Sequence, residues 1–151
     1  MEKGLLATVA AVSLFCSFSA MAADAPQTPT AAPAGVKLVT AEEVRSLMGS
    51  GAVVVDTRRA SEFAEGTIKG AINVPYDPEK SAKAADFDPK QDKFDLSKLS
   101  DKSKPHVFFC NSGTCWKSYK ASVVAAKEGY KSVNWYRGGL PDWKERKFPT
   151  E

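Results

Sequence analysis

Short apolar runs alternate with segments of helical periodicity along most of this sequence, and that alternation limits the possible folds more than any other feature. Five runs predict strands, at residues 36–39, 53–55, 71–74, 106–110 and 133–136. Helices are predicted at residues 40–48, 116–127 and 142–146, with a short one within residues 56–65. Strands that alternate with helices imply a mostly parallel sheet covered on both faces. We therefore predict a three-layer α/β domain, whose ligands bind at the carboxyl ends of the strands.

Residues 1–22 have the pattern of a cleavable signal peptide. An apolar run at residues 5–18 follows a basic residue, and a small-x-small motif ends at Ala22. The run is shorter than the roughly 18 to 20 residues that span a bilayer, so we expect cleavage after Ala22 rather than a membrane helix. Residues 23–35 are rich in Ala, Pro and Thr without apolar periodicity, which predicts a flexible linker. The rest, residues 36–150, suffices for one globular domain.

Composition restricts the partners and the compartment. The formal net charge is +3, and the lysines are scattered among acidic residues, most densely at residues 77–104. Since there is no basic stripe with interleaved aromatics, we predict no nucleic-acid partner. The leader predicts a periplasmic or secreted protein that does not stay in the membrane after cleavage. In such a compartment the two remaining cysteines, Cys110 and Cys115, are able to form a disulfide.

Cys110 is the strongest candidate for a catalytic residue. It ends a predicted central strand, and a polar loop joins it to the helix that begins near Trp116. Free backbone N–H groups and the positive end of the helix dipole meet there, which favours an anion and makes a cysteine sulfur nucleophilic. The alternative is that Cys110 is a small hydrophobe at the end of a buried strand. The loop residues favour the first interpretation, because Asn, Ser, Gly and Thr suit an exposed anion-binding loop better than a core.

Three stretches resemble one protein family. VVVDTRRASEFAEGTIKGAINVP at residues 53–75 is similar to the signature of the rhodanese sulfurtransferases. FFCNSGTCWKSYKA at residues 108–121 lies where that family has its cysteine loop, and residues 135–149 resemble its C-terminal Gly-Gly, Trp and Pro pattern. The resemblance implies a rhodanese-like fold and transfer of sulfane sulfur through a persulfide on Cys110. It implies a small sulfur-containing anion as donor, a thiol or protein sulfur acceptor, and no cofactor.

The sequence departs from the family pattern in the loop. The family has an Arg where this chain has Cys115, unless Lys117 and Ser118 are aligned with its Arg-Ser pair in a longer loop. Lys117 would offer the point charge of an ammonium, whereas the planar guanidinium of Arg binds two oxygens of an anion at once. The resemblance therefore does not imply efficient thiosulfate turnover. Cys115 is a resolving thiol that attacks the persulfide, one half of a static disulfide, or a buried apolar residue. Thr67 replaces a family His. The candidate substrate-binding residues are Asn111, Ser112, Gly113, Thr114, Trp116, Lys117 and Ser118.

Two other groups are given structural roles. Asp56, Arg58 and Glu62 match the family's bracing motif, so we predict that they hold a loop beside the site rather than act as acid and base. His106 lies four strand steps before Cys110, about 13 Å away, which is too far for a catalytic pair. Too few Cys and His residues remain for a structural zinc site, and we predict no metal.

Three functions remain in competition. A periplasmic sulfurtransferase or sulfur carrier is favoured by the motifs. A non-catalytic or thiol-redox binding module on the same scaffold is the second, since fold alone does not fix function. A phosphatase or arsenate-reductase-like enzyme is the third, and the missing loop Arg argues against it.

Overall fold

A five-stranded sheet forms the centre of the part of the chain that the computed structural model describes, residues 26–151. The strands are β1 (Val36–Leu38), β2 (Val53–Asp56), β3 (Ile72–Asn73), β4 (Pro105–Phe109) and β5 (Ser132–Tyr136). The helices are α1 (Ala41–Gly49), α2 (Ala60–Ala64), α3 (Trp116–Lys127) and α4 (Gly139–Glu145), and 3₁₀ turns lie at Pro89–Gln91 and Leu96–Lys98. The predicted signal peptide lies outside the described residues. Within them, no helix is both long and apolar enough to cross a membrane.

All the strand pairs are parallel, in the order β1-β5-β4-β2-β3. The last residues of the three central strands are in register, since Asp56 pairs with Phe109 and Phe109 pairs with Tyr136. The chain therefore leaves these strands side by side at one edge of the sheet. This is the edge at which the sequence predicts the ligand site.

Side chains of the central strands alternate between the two faces of the sheet. Val54, Val107 and Phe109 pack in a cluster with α1 and α4, whereas Val55 and Phe108 pack in a cluster with α3. All five side chains are buried, and the burial of each one stabilises the fold by roughly 1.5 to 3 kcal/mol relative to an exposed side chain. The predicted α/β fold, a sheet with helices on both faces, is confirmed. Covered faces also explain the continuous apolar runs at residues 53–55 of β2 and 107–109 of β4.

The predicted start of α1 is confirmed in detail. The backbone N–H of Glu43 donates to Thr40 Oγ1 at 3.3 Å, and the Glu43 carboxylate accepts from the Thr40 N–H at 2.8 Å. This reciprocal capping box satisfies two N–H groups that the helix leaves without partners.

The long polar excursion between β3 and β4 is anchored by Asp92. Its carboxylate accepts from Tyr76 Oη at 2.6 Å, from the Ser81 N–H at 2.8 Å and from the Lys80 N–H at 2.7 Å. Burial by itself raises the pKa of Asp92, but hydrogen bonds from Ser81 and Tyr76 outweigh it and lower that pKa to about 2. The buried Lys120 ammonium of α3 donates to Ser81 Oγ at 2.9 Å. A polar network thus ties the excursion to α3.

The structure differs from the flexible-linker prediction over residues 26–35. Thr28 is buried, and its backbone N–H donates to the Gly113 carbonyl at 2.8 Å. Ala32 packs on an aromatic cluster formed by α3 and β5. The linker prediction rested on missing apolar periodicity, which does not indicate contacts made by backbone hydrogen bonds and by one small apolar side chain. Residues 23–25 lie outside the described part of the chain.

Candidate active site

Cys110 directly follows β4, at the edge where the central strands end. It is buried, with 1% of its surface exposed. Residues 110–115, here called the cysteine loop, connect β4 to α3, and Cys115 is the residue before the first helical turn. The loop therefore has the position predicted from the sequence, between the carboxyl end of a strand and the N-terminus of a 12-residue helix.

The two cysteines of the loop are joined by a disulfide. Their Cα atoms are 6.1 Å apart, within the usual range for such a bond. The loop curls through a hydrogen bond from the Cys115 N–H to the Ser112 carbonyl at 3.0 Å, and the hydroxyls of Ser112 and Thr114 lie 2.9 Å apart. Cys115 is partly exposed whereas Cys110 is buried. An incoming thiol therefore has better access to Cys115.

The start of α4 fixes the backbone of Cys110. The Leu140 N–H donates to the Cys110 carbonyl at 2.9 Å. Gly139 has a left-handed φ of +66° and lies so close that a Cβ at this position would collide with the Cys110 carbonyl oxygen. Only glycine combines this backbone conformation with this approach. Gly139, which belongs to the Gly-Gly pattern noted within residues 135–149, therefore positions the cysteine loop.

Asp56 and Arg58 form a buried ion pair behind the loop that follows β2. Arg58 donates from Nε at 3.0 Å and from Nη2 at 2.6 Å to the two carboxylate oxygens, and Nη2 also reaches the Gly66 carbonyl at 2.7 Å. Thr67, which stands at the family's His position, donates to Asp56 at 2.8 Å. Both carboxylate oxygens of Asp56 accept hydrogen bonds from residues of the fold, which supports the interpretation that the pair braces this loop.

Glu62 has a separate contact. Its carboxylate accepts from the Asn111 side-chain amide at 2.8 Å and from the Arg59 N–H at 3.2 Å. The Asn111 hydrogen bond holds the pKa of the Glu62 carboxyl below its usual value, although partial burial opposes this. From the sequence, Glu62 was predicted to act together with Asp56 and Arg58. In the structure Glu62 lies in α2, and its carboxylate contacts the cysteine loop, where it orients Asn111.

Three candidate substrate-binding residues at the start of α3 have partners outside the cysteine loop. Lys117 donates to the Tyr76 carbonyl at 2.6 Å, and its ammonium lies 3.6 Å from Asp77. Ser118 is buried and accepts from an indole N–H of β5 at 3.1 Å. The Trp116 indole donates to the carbonyl of residue 26 at 2.8 Å. The structure therefore brings together the predicted residues 110–115 but directs these three side chains elsewhere.

His106 lies at the start of β4, and its Nδ1 is 2.9 Å from the Lys104 carbonyl. This separates it from the cysteine loop, as the strand spacing predicts. Among residues 26–151, no group of three or more His, Cys, Asp or Glu side chains is arranged to hold a metal ion. That the whole chain binds no metal stays a prediction.

Arg137 and the N-terminal segment were missed by the sequence reasoning. The Arg137 guanidinium lies against Gly113, where an added Cβ would come within 2.7 Å of Cζ. Its Nε donates to Thr28 Oγ1 at 3.1 Å, and Nη2 donates to the Thr28 carbonyl at 3.2 Å. The signal for Arg137 was present, because it immediately follows the strand beside β4. The position of Thr28 gave no such signal.

Comparison with known proteins agrees with this architecture. Residues 40–146 match the family described as the rhodanese-like domain. Human thiosulfate:glutathione sulfurtransferase is 33% identical over 114 residues, which cover 75% of this chain and 97% of that protein.

Solved structures show the same fold. A human single-domain sulfurtransferase superposes with a TM-score of 0.51 at 30% identity, covering 72% of this chain and 96% of the other. The BH2092 protein of Bacillus halodurans superposes with a TM-score of 0.58 at 20% identity, covering 76% of each chain, which bears on the fold alone. Since the family match spans most of the chain and a relative is matched over nearly its whole length, this protein belongs to the rhodanese-like domain family.

Proposed function

We propose that this protein is a sulfurtransferase that carries sulfane sulfur as a persulfide on Cys110. The observation that carries the proposal is the position of Cys110, at the carboxyl edge of a parallel sheet and one short loop before α3. The sulfurtransferase names of the human relative and of the human solved structure support the reaction class.

The transfer requires the reduced form of the loop. With thiosulfate as donor, the Cys110 thiolate attacks the outer sulfur, the donor S–S bond breaks, and sulfite leaves with the electron pair. A new S–S bond makes the persulfide of Cys110. An acceptor thiolate then attacks the outer sulfur of that persulfide, takes it, and leaves the Cys110 thiolate. Backbone N–H groups of the first turn of α3 have no helical acceptors and stabilise the anionic sulfur at each stage.

Cys115 provides a second exit for the sulfur. Its thiolate attacks Sγ of the Cys110 persulfide, hydrosulfide leaves, and the Cys110–Cys115 disulfide forms. The Cys110–Cys115 disulfide of the structure is the bond that this step would form. A dithiol reductant restores both thiols and is itself oxidised to a disulfide, so the enzyme returns to its active form.

We also propose export to an oxidising compartment. The leader pattern of residues 1–22 and the Cys110–Cys115 disulfide support this location, because disulfides are rare in reducing compartments. The donor would be a small sulfur-containing anion and the acceptor a thiol.

A thiol-redox module is the second candidate, and the same disulfide favours it. In that function the loop would exchange electrons with a partner dithiol without holding sulfane sulfur. The two functions differ in whether a sulfur adduct forms on the reduced protein.

The test is intact-mass analysis of protein that has been reduced, freed of reductant and treated with thiosulfate or inorganic polysulfide. We expect a mass increase of one sulfur atom in the wild type, none in Cys110→Ser, and a longer-lived adduct in the matched variant Cys115→Ser. Reduced wild-type protein that gains no sulfur from either donor would contradict the proposed function and leave the redox module.

A further inference from the structure

Arg137 is a cation beside the cysteine loop that has no carboxylate partner among residues 26–151. Tyr136 ends β5 in register with Phe109, so Arg137 and Cys110 are the residues that follow these two neighbouring parallel strands. An uncompensated guanidinium at this edge creates positive potential beside the cysteine loop.

The plane of the guanidinium lies on the backbone of the cysteine loop. A Cβ built on Gly113 would be 2.7 Å from Arg137 Cζ, 2.8 Å from Nη2 and 2.9 Å from Nη1. Three nearly equal distances place that Cβ over the flat face of the group rather than at its edge. Glycine at position 113 therefore lets the guanidinium stack on the loop, so that the N–H groups in its plane point past Gly113 rather than at it.

One edge of Arg137 is occupied by two neutral oxygens of a single residue. Nε donates to Thr28 Oγ1 at 3.1 Å and Nη2 donates to the Thr28 carbonyl at 3.2 Å. The Gln27 side-chain oxygen lies 3.4 Å from Nη2. Two parallel N–H donors facing two oxygens is the geometry with which Arg binds an oxyanion. Thr28 therefore occupies the position of an anion with paired oxygens.

We propose that the Nε–Nη2 edge of Arg137 binds the sulfonate oxygens of a thiosulfate-type donor when residues 26–28 move away from it. This inference rests on the proposed function and specifies its donor class as sulfane sulfur attached to an oxyanion group. The guanidinium already makes charge-assisted bonds to the neutral Thr28 oxygens, and an anion adds the attraction of opposite charges, so donor and segment compete for the same edge. The same contact draws a dianionic donor toward the Cys110 thiolate, which would otherwise repel it.

The test compares two donors on reduced protein expressed from the full sequence, using the rate of sulfur adduct formation by rapid quench and intact mass. Inorganic polysulfide has sulfane sulfur but no oxygens. We expect Arg137→Gln to lower the second-order rate with thiosulfate about 10- to 100-fold and the rate with polysulfide about threefold or less. Arg137→Lys should fall between, and Arg45→Gln, which removes an exposed charge on α1, should leave both rates unchanged.

A second variant tests the competition without changing the guanidinium. Thr28→Ala removes one of the two oxygens on Arg137 and should raise the thiosulfate rate about threefold or more, whereas the exposed neighbour Thr30→Ala should not. A thiosulfate rate within about twofold of wild type in both Arg137→Gln and Thr28→Ala, or equal losses with both donors, would overturn the assignment. Adducts from polysulfide alone would also overturn it and leave the sulfurtransferase function intact. Adducts from neither donor would reject the function itself.

Discussion

Gly139→Ala should destabilise the protein through a contact with the cysteine loop. The left-handed φ of +66° costs an L-residue roughly 1 to 2 kcal/mol. The added Cβ also collides with the Cys110 carbonyl and comes within 3.0 Å of the Asn111 carbonyl carbon. Because these are backbone atoms, relief requires that the loop or α4 shift, at a further cost of about 1 to 3 kcal/mol. We expect a total loss of roughly 2 to 5 kcal/mol.

Gly129→Ala is the matched control, because it shares the conformation but not the contact. Its φ is +83° and no atom lies within 4 Å of an added Cβ. Its expected cost is therefore the backbone part alone, roughly 1 to 2 kcal/mol. Denaturant unfolding of both variants measures the difference, and intact mass reports the persulfide yield. Equal losses of stability in the two variants would refute the claim that α4 fixes the Cys110 backbone.

Two further predictions concern ionisation and reduction. Because Asp92 has a pKa near 2 in the folded protein, against about 3.8 when unfolded, it stabilises the fold above pH ~4 and this contribution of about 2 kcal/mol is lost as the pH falls toward 2. Between pH 5 and about pH 2, the free energy of unfolding should therefore depend less on pH in Asp92→Asn than in wild type. The control Asp86→Asn, at an exposed position, should follow wild type. Identical slopes in all three proteins would contradict the assignment. Glutathione added in limited amount to the disulfide form should attack the more accessible Cys115 and release Cys110. Peptide mapping should find the mixed disulfide on Cys115, and a mixed disulfide on Cys110 would contradict this order.

The sequence predicted the elements whose pattern is local. The alternation of short apolar runs with segments of helical periodicity predicted the parallel sheet. The strand–loop–helix order around Cys110 predicted that this residue lies at the carboxyl ends of the strands. The capping box at Thr40 was predicted because its two bonds join residues three positions apart.

The contacts that were not predicted join segments far apart in the chain. Lys117 was expected to contact substrate, but its ammonium binds at Tyr76, within a long excursion whose path no periodicity reveals. Thr28 reaches Gly113 across 85 positions through bonds that composition does not indicate. Arg137 directly follows a predicted strand, but its contact with Gly113 depends on which strands lie side by side in the sheet, which no local pattern indicates.

Single-turnover transfer of labelled sulfur tests the central claim most directly. Reduced protein would be mixed with thiosulfate labelled in its outer sulfur, one part digested for peptide mass analysis and the other given a thiol acceptor. The account predicts label on the peptide that contains Cys110, followed by its appearance on the acceptor. Label that reaches the acceptor without passing through Cys110, or that is first bound on Cys115, would contradict it.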